Sequence, residues 1–285
     1  MIQSKRQRIS VVIPVYNEAE HLAACLEAIA AQTLTPYEVI VVDNNSSDET
    51  AEVARRFGFV TLLSEPRQGV VHARNRGFDA VGGDIIARID ADTVLPPEWL
   101  ARVNVIFSDM GISAVSGAPH YYDFPLPALA DAVDLPLRGR LARKLKDTNF
   151  LWGANMAVRR TDWLRVRHNL CSDNRLHEDF DLGIHLQDRN LKVVYDEGLV
   201  AGVSSRRIDS RFMAFVRYTL VSPRTYARHG LRSRYHMYPT LAVCWACYLP
   251  AKLLYRAYNP ETGSYSLMQL LSTGSRRVDP TTNIA

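Results

Sequence analysis

Two aspartates separated by one residue, Asp90 and Asp92, directly follow an apolar stretch at 85–89 that is predicted to be a buried strand. A strand ending there would hold both carboxylates at one edge of a sheet. Carboxylate oxygens suit Mg²⁺ and Mn²⁺, which keep open positions for phosphate oxygens. The same triplet is also common in turns, where aspartate side chains bond nearby backbone groups. The pair therefore predicts either a divalent metal site or an ordinary turn.

A second acidic group opens a predicted helix at 177–187, where Glu178, Asp179 and Asp181 follow His177. Acidic residues in the first turn of a helix stabilise it through the helix dipole, which gives a purely structural interpretation. A carboxylate at this place could also act as a general base and take a proton from an attacking hydroxyl group. The residues alone leave both interpretations open.

Arginine dominates residues 206–234, where eight arginines occur with a single acidic residue, Asp209. These side chains could bind phosphate or an anionic membrane surface, or they could pair with acids elsewhere or face solvent. The following stretch, 238–255, is apolar and aromatic but contains Pro239 and Pro250, which makes it a poor bilayer-spanning helix. We expect it to lie in a lipid interface, or to bury against the domain or a second copy of the chain.

Apolar runs of strand length alternate with stretches of helical period over the first 120 residues, which predicts an α/β fold with a mostly parallel sheet and ligands at the carboxyl ends of its strands. Asn17 and Glu20 predict a capping box for the first helix. In the first half of the chain, strands are predicted at 9–15, 39–42, 60–63 and 85–89, with one helix that ends near 57 and another at 70–81. An irregular connection from 121 and a basic helix to about 146 are predicted next, followed by a core segment at 152–159 and a strand at 192–195. The chain from 204 is predicted to be mostly helical, with a disordered tail from about 272.

The chain has 285 residues and a formal charge of +4, which suits one large α/β domain, alone or with a helical appendage. With 47% hydrophobic and 22% charged residues, the composition excludes a disordered chain. Four cysteines are too few for a disulfide framework, and Cys244 and Cys247 lack the second pair of a zinc site, so packing thiols and a reducing compartment are expected. The N-terminal apolar run contains Pro14 and is too short for a signal peptide, so we expect a cytoplasmic protein.

Six motifs then occur in order along the chain: VVIPVYNE at 11–18, VVDNNSSDET at 41–50, GVVHARNRG at 69–77, DAD at 90–92, GANMAVR at 153–159 and HED at 177–179. Together they resemble the motifs of family 2 inverting glycosyltransferases of the GT-A fold, over roughly residues 8–207. The resemblance implies a GT-A domain at 1–207. The residues after it predict a basic and apolar helical extension at 208–271, membrane-interfacial or dimerising, and a flexible tail at 272–285.

The resemblance also implies roles for individual residues. The base and ribose of the nucleotide would be held by residues near the ends of the first two strands: Pro14, Tyr16, Glu18 and Asp43. Arg74 would support this pocket. Asp90 and Ala91 would lie against the nucleotide, and Asp92 would hold the Mg²⁺ or Mn²⁺ that bridges the diphosphate. Asp179 would be the general base that deprotonates the acceptor hydroxyl, so that attack opposite the leaving group inverts the anomeric centre. Arg206 or Arg207, in the segment where relatives keep a loop over the diphosphate, would close on the phosphates.

Processive members of the family carry a Gln-x-x-Arg-Trp motif, whereas the nearest stretch here, 214–218, lacks both Gln and Trp. Our hypothesis is therefore a non-processive, metal-dependent transferase that uses a UDP-sugar, or alternatively a GDP-sugar. It would act at the cytoplasmic membrane face on a lipid-linked or cell-envelope hydroxyl acceptor, with no nucleic-acid partner. One alternative is a soluble transferase with a small-molecule or protein acceptor, in which the C-terminal segment forms a homodimer. Another is a catalytically silent nucleotide-binding homologue, against which the presence of Asp92 and Asp179 argues.

Overall fold

Seven strands form one sheet in a computed structural model that describes residues 6–144, 151–259 and 264–266. In chain order they are β1 (Ile9–Val15), β2 (Glu38–Asp43), β3 (Val60–Ser64), β4 (Ile85–Arg88), β5 (Ile112–Tyr121), β6 (Met156–Arg159) and β7 (Lys192–Val203). Their order across the sheet is β3-β2-β1-β4-β6-β5-β7. Only β6 runs antiparallel to its neighbours β4 and β5, so the predicted α/β fold with a mostly parallel sheet is confirmed.

Helices cover both faces of this sheet. They are α1 (Ala19–Ala30), α2 (Thr50–Arg55), α3 (Val70–Ala80), α4 (Trp99–Ile106), α5 (Pro127–Lys144), α6 (Arg160–Val166) and α7 (Glu178–Asp188). Alternate residues of one strand enter different cores, since Val11 packs with α1 and α4 whereas Val12 packs with α3, α6 and α7. This alternation follows from the two-residue period of a strand, and it makes the central strands apolar on both sides.

The chain after the sheet is mostly helical, as predicted. It forms α8 (Phe212–Thr219), α9 (Val221–Arg228) and α10 (Tyr238–Ala257), with 3₁₀ turns at Arg206–Asp209 and Arg232–His236. A short hairpin of β8 (Tyr258–Asn259) and β9 (Ser264–Tyr265) follows. None of the helices in the described ranges combines the length and the apolar character that crossing a bilayer requires. The predicted tail from 272 lies outside the described residues.

The start of α1 differs from the prediction. The capping box at Asn17 is wrong, because α1 begins at Ala19 with Glu18 at the N-cap position and no side-chain capping bond. Asn17 instead adopts a left-handed backbone with φ of 51°, and its side-chain oxygen accepts a hydrogen bond from the backbone N–H of Ser47 at 2.8 Å. Asparagine tolerates this conformation better than most residues, and the bond ties the end of β1 to the loop after β2.

Candidate active site

A cleft of about 210 Å³ opens where β1, β2 and β4 end, at the edge of the sheet that the sequence predicted for a ligand. Nine of the residues predicted from the sequence line it: Pro14, Tyr16, Glu18, Asp90, Ala91, Asp92, Asp179, Arg206 and Arg207. The acidic residues come from the segments after β1 and β4 and from the first turn of α7, and the chain after β7 supplies Arg206 and Arg207. The topology thus brings together residues from widely separated parts of the sequence.

Two of the predicted residues do not line the cleft. Asp43, at the end of β2, turns its Oδ1 toward the backbone N–H of Ser46 at 3.2 Å. Arg74, on α3, is fully buried, and its guanidinium donates to the backbone oxygen of Glu178 at 3.1 Å while packing near the ring of Trp163. Burial lowers the pKa of Arg74 to about 10, which still leaves the side chain charged at neutral pH. Arg74 therefore supports the start of α7 from below the cleft.

Arg206 bridges two carboxylates that line the cleft. Its Nε lies 2.9 Å from Oδ2 of Asp92, and its Nη2 lies 2.6 Å from Oε1 of Glu18. All three side chains are nearly buried, at 6% exposed for Arg206, 12% for Asp92 and 14% for Glu18. Burial alone would lower the pKa of Arg206, but Asp92 and Glu18 raise it above its ordinary value.

The turn that carries Arg206 is fixed from two sides. The backbone N–H of Ser205 donates to Asp123 at 2.6 Å, which ties the turn to the segment after β5. Asp209, at the end of the same turn, pairs with Arg256 of α10. The C-terminal helices therefore help to place Arg206 at the cleft, although they contribute nothing to the sheet.

The donor set around Asp92 fits a hard divalent cation. Asp92 and Glu18 present carboxylate oxygens, which Mg²⁺ and Mn²⁺ prefer. Both carboxylates lie against one positive charge, that of Arg206, so this position already favours a cation. A metal ion bound to Oδ2 of Asp92 would displace the guanidinium from that oxygen.

Arg88, at the end of β4, forms a buried link between the two acidic groups. Its Nη2 lies 2.9 Å from Oδ1 of Asp90 and 3.2 Å from Oε1 of Glu178. A Cβ atom at Gly153 would lie 1.1 Å from Nη1 of Arg88, so only glycine leaves room for this side chain. Arg88 was not predicted as a site residue, although a charged residue at the end of an apolar strand, two positions before Asp90, was the available signal.

Asp179 is buried at the start of α7, with 7% of its surface exposed. Its Oδ2 accepts the backbone N–H of Gly153 at 2.7 Å, and its Oδ1 accepts that of Phe180 at 2.8 Å. Burial raises the pKa of Asp179 despite the opposing effects of Arg88 and these hydrogen bonds. A raised pKa makes a carboxylate a stronger base, and the two hydrogen bonds fix the orientation of this one.

The C-terminal helices also cover the cleft near Asp179. The ring of Tyr218, on α8, lies 5.3 Å from the ring of His177. The guanidinium of Arg207 stacks on the Tyr218 ring, 3.4 Å from its centroid. Desolvation lowers the pKa of His177 to about 4, which keeps the imidazole neutral at physiological pH. Tyr218 and His177 were not predicted as site residues, because only the fold shows that they meet.

Asn44, also missed from the sequence, organises the loop before α3. Its amide donates to the backbone oxygens of Glu65 and Arg67 at 2.9 and 2.7 Å, and its oxygen accepts the backbone N–H of Gly69 at 2.7 Å. Arg67 itself turns toward Glu65 and has a 69% exposed side chain. Asn44 thus fixes the wall of the cleft at the start of α3.

Comparison with known proteins agrees with this architecture. The family model Glycosyl transferase family 2 matches residues 10–163, which is more than half of the chain. Glycosyltransferase AglE of Haloferax volcanii is 41% identical over 116 residues, which are 38% of each protein. The undecaprenyl-phosphate 4-deoxy-4-formamido-L-arabinose transferase of Serratia proteamaculans is 41% identical over 106 residues, 34% of this chain and 32% of that enzyme. The chain therefore matches only about a third of the length of these relatives.

Solved structures share the fold. The mannosyltransferase PcManGT of Pyrobaculum calidifontis, in complex with GDP-Man and Mn²⁺, superposes with a TM-score of 0.63 over 93% of this chain and 77% of that one, at 22% identity. Glucosyl-3-phosphoglycerate synthase of Mycobacterium tuberculosis, in complex with Mn²⁺, UDP and glucosyl-3-phosphoglycerate, superposes with a TM-score of 0.56 over 79% and 81% of the two chains, at 21% identity. The predicted GT-A fold is thereby confirmed, and the family match establishes that the chain belongs to glycosyl transferase family 2.

Proposed function

We propose that this glycosyltransferase moves a sugar from a nucleoside-diphosphate sugar to an acceptor hydroxyl, with inversion and without processivity. The observation that carries the proposal is the convergence in one cleft of the Asp90 and Asp92 pair, Arg206 and the buried carboxylate of Asp179. A transferase of this kind needs cations at the diphosphate and a base at the acceptor, and these residues supply both. That PcManGT and glucosyl-3-phosphoglycerate synthase bind nucleotides with Mn²⁺ supports the proposal.

On the donor side, Asp92, with Asp90 beside it, would hold Mg²⁺ or Mn²⁺. Such an ion would neutralise the diphosphate as it leaves, which typically stabilises the transition state by several kcal/mol. Arg206, released from Asp92, would then lie within reach of the phosphates together with Arg207. Pro14, Tyr16 and other residues at the ends of β1 and β2 would line the nucleotide pocket.

On the acceptor side, Asp179 would take the proton of the attacking hydroxyl. The hydroxyl oxygen forms a bond to the anomeric carbon while the bond from that carbon to the diphosphate oxygen breaks, so the anomeric configuration inverts. The proton stays on Asp179 and the electron pair leaves with the nucleoside diphosphate. The bonds from Gly153 and Phe180 would hold the carboxylate in place during this transfer.

The acceptor is proposed to be lipid-linked or part of the cell envelope, and the chain would meet the membrane peripherally. The undecaprenyl-phosphate transferase named above, which shares 41% identity with part of this chain, supports this choice. A surface of the C-terminal extension also supports peripheral contact with a membrane. It consists of exposed apolar residues on α8 and α10: Phe212, Met213, Leu249 and Leu253. We refer to it as the apolar face, and we assign the GT-A domain to 1–207 and the extension to 208–271.

Thermal unfolding with nucleotides tests the proposed function. UDP or GDP should raise the melting temperature of the wild type more in the presence of Mn²⁺ than without it, because a ligand that binds the native state stabilises it. Asp92→Asn should lose the metal-dependent part of this shift. Asp188→Asn, an exposed aspartate at the end of α7, is the matched control and should behave as the wild type. Equal stabilisation of wild type and Asp92→Asn by nucleotide with Mn²⁺ would contradict the metal assignment.

A further inference from the structure

Four side chains of metal-binding type converge behind the acceptor side of the active-site cleft. They are Cys171, Asp181, His185 and His229, whose potential ligand atoms all lie within 4.8 Å of one another. Oδ1 of Asp181 lies 2.8 Å from Nε2 of His229 and 3.6 Å from Nε2 of His185. All four residues lie outside the set that lines the cleft, so this cluster is separate from the proposed catalytic metal position.

Three separate parts of the chain supply these ligands. Asp181 and His185 lie four residues apart on α7, which places them on one face of the helix. Cys171 comes from the loop between α6 and α7, and its backbone N–H donates to Oδ2 of Asp181 at 2.9 Å. His229 is the C-cap residue directly after α9. Gly230 follows with φ of 70°, a left-handed conformation that stops the helix and leaves His229 beside α7.

The donor set matches zinc. One thiolate, two imidazoles and one carboxylate form the mixed sulfur, nitrogen and oxygen set that Zn²⁺ binds with four ligands in tetrahedral geometry. With metal–ligand distances of about 2.0–2.3 Å, neighbouring ligand atoms of such a site are about 3.3–3.8 Å apart, and the potential ligand atoms of this cluster all lie within 4.8 Å of one another. Hard cations such as Mg²⁺ prefer sites made of oxygen alone, so this set differs in chemistry from Asp90 and Asp92.

One nitrogen in the cluster has no hydrogen-bond partner. Nε2 of His185 is buried and unbonded among the described residues, and 18% of its side chain is exposed. Leaving a buried polar atom unpaired costs free energy, and the atom lies 3.6 Å from the carboxylate of Asp181. A metal ion between these atoms would give the nitrogen the partner that the protein does not provide.

We propose that Cys171, Asp181, His185 and His229 form a structural Zn²⁺ site. Zinc would bind the Cys171 thiolate and the neutral imidazole nitrogens, and the thiol proton would be released to solvent. A closed site with four protein ligands leaves no position for substrate, so its role is structural. It joins α7, which begins with the proposed base Asp179, to the end of α9, and so ties the C-terminal extension to the catalytic helix.

Metal titration of the full chain tests this site. After removal of bound metals with a chelator, the wild type should take up one tightly bound Zn²⁺ per chain and should unfold at a higher temperature with it. Cys171→Ser and His185→Gln should each weaken Zn²⁺ binding by at least about 100-fold, because even partners outside the ligand shell contribute roughly 10–100-fold. Cys247→Ser and His236→Gln replace exposed residues of the same types outside the cluster and should bind zinc as the wild type does.

Cobalt spectroscopy separates this site from the proposed catalytic metal position. Co²⁺ bound by the wild type should show a thiolate-to-metal charge-transfer band and a tetrahedral spectrum, and Cys171→Ser should lose the band while keeping a native circular dichroism spectrum. Asp92→Asn should retain both the band and the stoichiometry, whatever its effect on nucleotide binding. Absence of the band in the wild type, or zinc affinity that is equal in Cys171→Ser, His185→Gln and the wild type, would overturn the proposal.

Discussion

The guanidinium of Arg206 lies against the carboxylate of Asp92, with Nε 2.9 Å from Oδ2, although the two residues are 114 positions apart in the chain. The residue proposed to hold the metal is therefore paired with a cation that the protein itself supplies. The same guanidinium binds Glu18. Metal binding at Asp92 and the position of Arg206 should consequently be coupled.

Replacement of Arg206 tests this coupling. Arg206→Met keeps much of the side-chain volume but leaves Asp92 and Glu18 nearly buried without their shared positive charge. Removing one partner of a buried ion pair typically costs about 3–5 kcal/mol, so the free energy of unfolding should fall by roughly that amount at neutral pH. Mn²⁺ should restore part of the loss and should stabilise the variant more than the wild type, because it no longer competes with the guanidinium. Chemical denaturation with and without Mn²⁺ measures both effects.

Arg217→Met is the control for this experiment. Arg217 is an exposed arginine on α8, and exposed substitutions usually change stability by no more than about 0.5 kcal/mol. If Arg206→Met is as stable as Arg217→Met, or if Mn²⁺ stabilises it no more than the wild type, then the ion pair does not hold this side of the cleft together.

Asp179 should be essential for transfer but not for donor binding. Asp179→Asn removes the proposed base, and loss of general-base assistance typically lowers the rate by about 10²–10⁴-fold. The stabilisation by nucleotide with Mn²⁺ should persist, since Asp179 is assigned to the acceptor side. Sugar transfer or donor hydrolysis measures the rate, and thermal unfolding with the nucleotide measures binding.

Two aspartates on the same helix give the comparison for Asp179. Asp188→Asn should keep wild-type transfer, because Asp188 is exposed at the far end of α7. Asp181→Asn should mainly lower stability, because the Asp181 side chain bonds His229 and the backbone of Cys171 and does not line the cleft. A greater loss of transfer in Asp181→Asn than in Asp179→Asn would show that Asp179 is not the general base.

Much of this architecture follows from short-range patterns in the sequence. The strand at 9–15 has the predicted bounds, and the bounds of the other early strands lie within one residue of the predicted ones. Apolar runs between polar turns are enough to predict such strands without knowledge of the tertiary structure. The Asp90 and Asp92 pair and Asp179 could likewise be placed at strand and helix ends. Strand β7 extends to Val203, well beyond the predicted 195. The polar stretch at 196–198 interrupts its apolar pattern, and pairing with β5 resumes after an irregularity at that point.

The contacts that complete the site could not be predicted in this way. Arg88 joins Asp90 to Glu178, which comes 90 residues later in the chain, and it fits only because Gly153 lacks a side chain. The pairing of Arg206 with Asp92 and the meeting of His229 with Asp181 depend on how the C-terminal helices pack on the sheet. Such long-range contacts leave no periodic signal, so only the folded chain shows them.

His177 should contribute to the dependence of stability on pH. Its pKa is lowered in the folded protein to about 4 from an ordinary value of 6.5, so the native state is favoured above pH 6.5 and this contribution is lost as the pH falls toward 4. The full effect is at most about 3 kcal/mol. His177→Gln should therefore flatten the fall in unfolding free energy between pH 6.5 and 4. Denaturation at a series of pH values measures this slope. His236→Gln, which replaces an exposed histidine, should leave the slope unchanged. Equal slopes in the wild type, His177→Gln and His236→Gln would contradict a buried, neutral imidazole at His177.

The apolar face should mediate binding to anionic lipid. Leu249 and Leu253 lie one turn apart on α10 and are 61% and 50% exposed. Helix α8 packs against α10 through the rings of Phe212 and Tyr248, whose centroids are 5.1 Å apart. The exposed Arg217 lies on α8, and the exposed Arg211 directly precedes it. Insertion of the apolar side chains and attraction of the arginines to anionic headgroups would act together. The wild type should therefore sediment with vesicles that contain anionic lipid at low salt, and less so as salt rises, because charges are screened over about 8 Å at physiological ionic strength.

A double replacement separates the apolar contribution from the charged one. Leu249→Ser with Leu253→Ser should weaken vesicle binding by about tenfold or more, since burial of one leucine side chain stabilises by about 1.5–3 kcal/mol. The salt dependence of the remaining binding should stay the same, because the arginines are unchanged. Val105→Ser replaces a 64% exposed apolar residue on α4 and should bind as the wild type does. If the wild type fails to sediment at low salt, the membrane assignment is wrong; a concentration-dependent dimer that the double replacement dissociates would instead favour the soluble alternative.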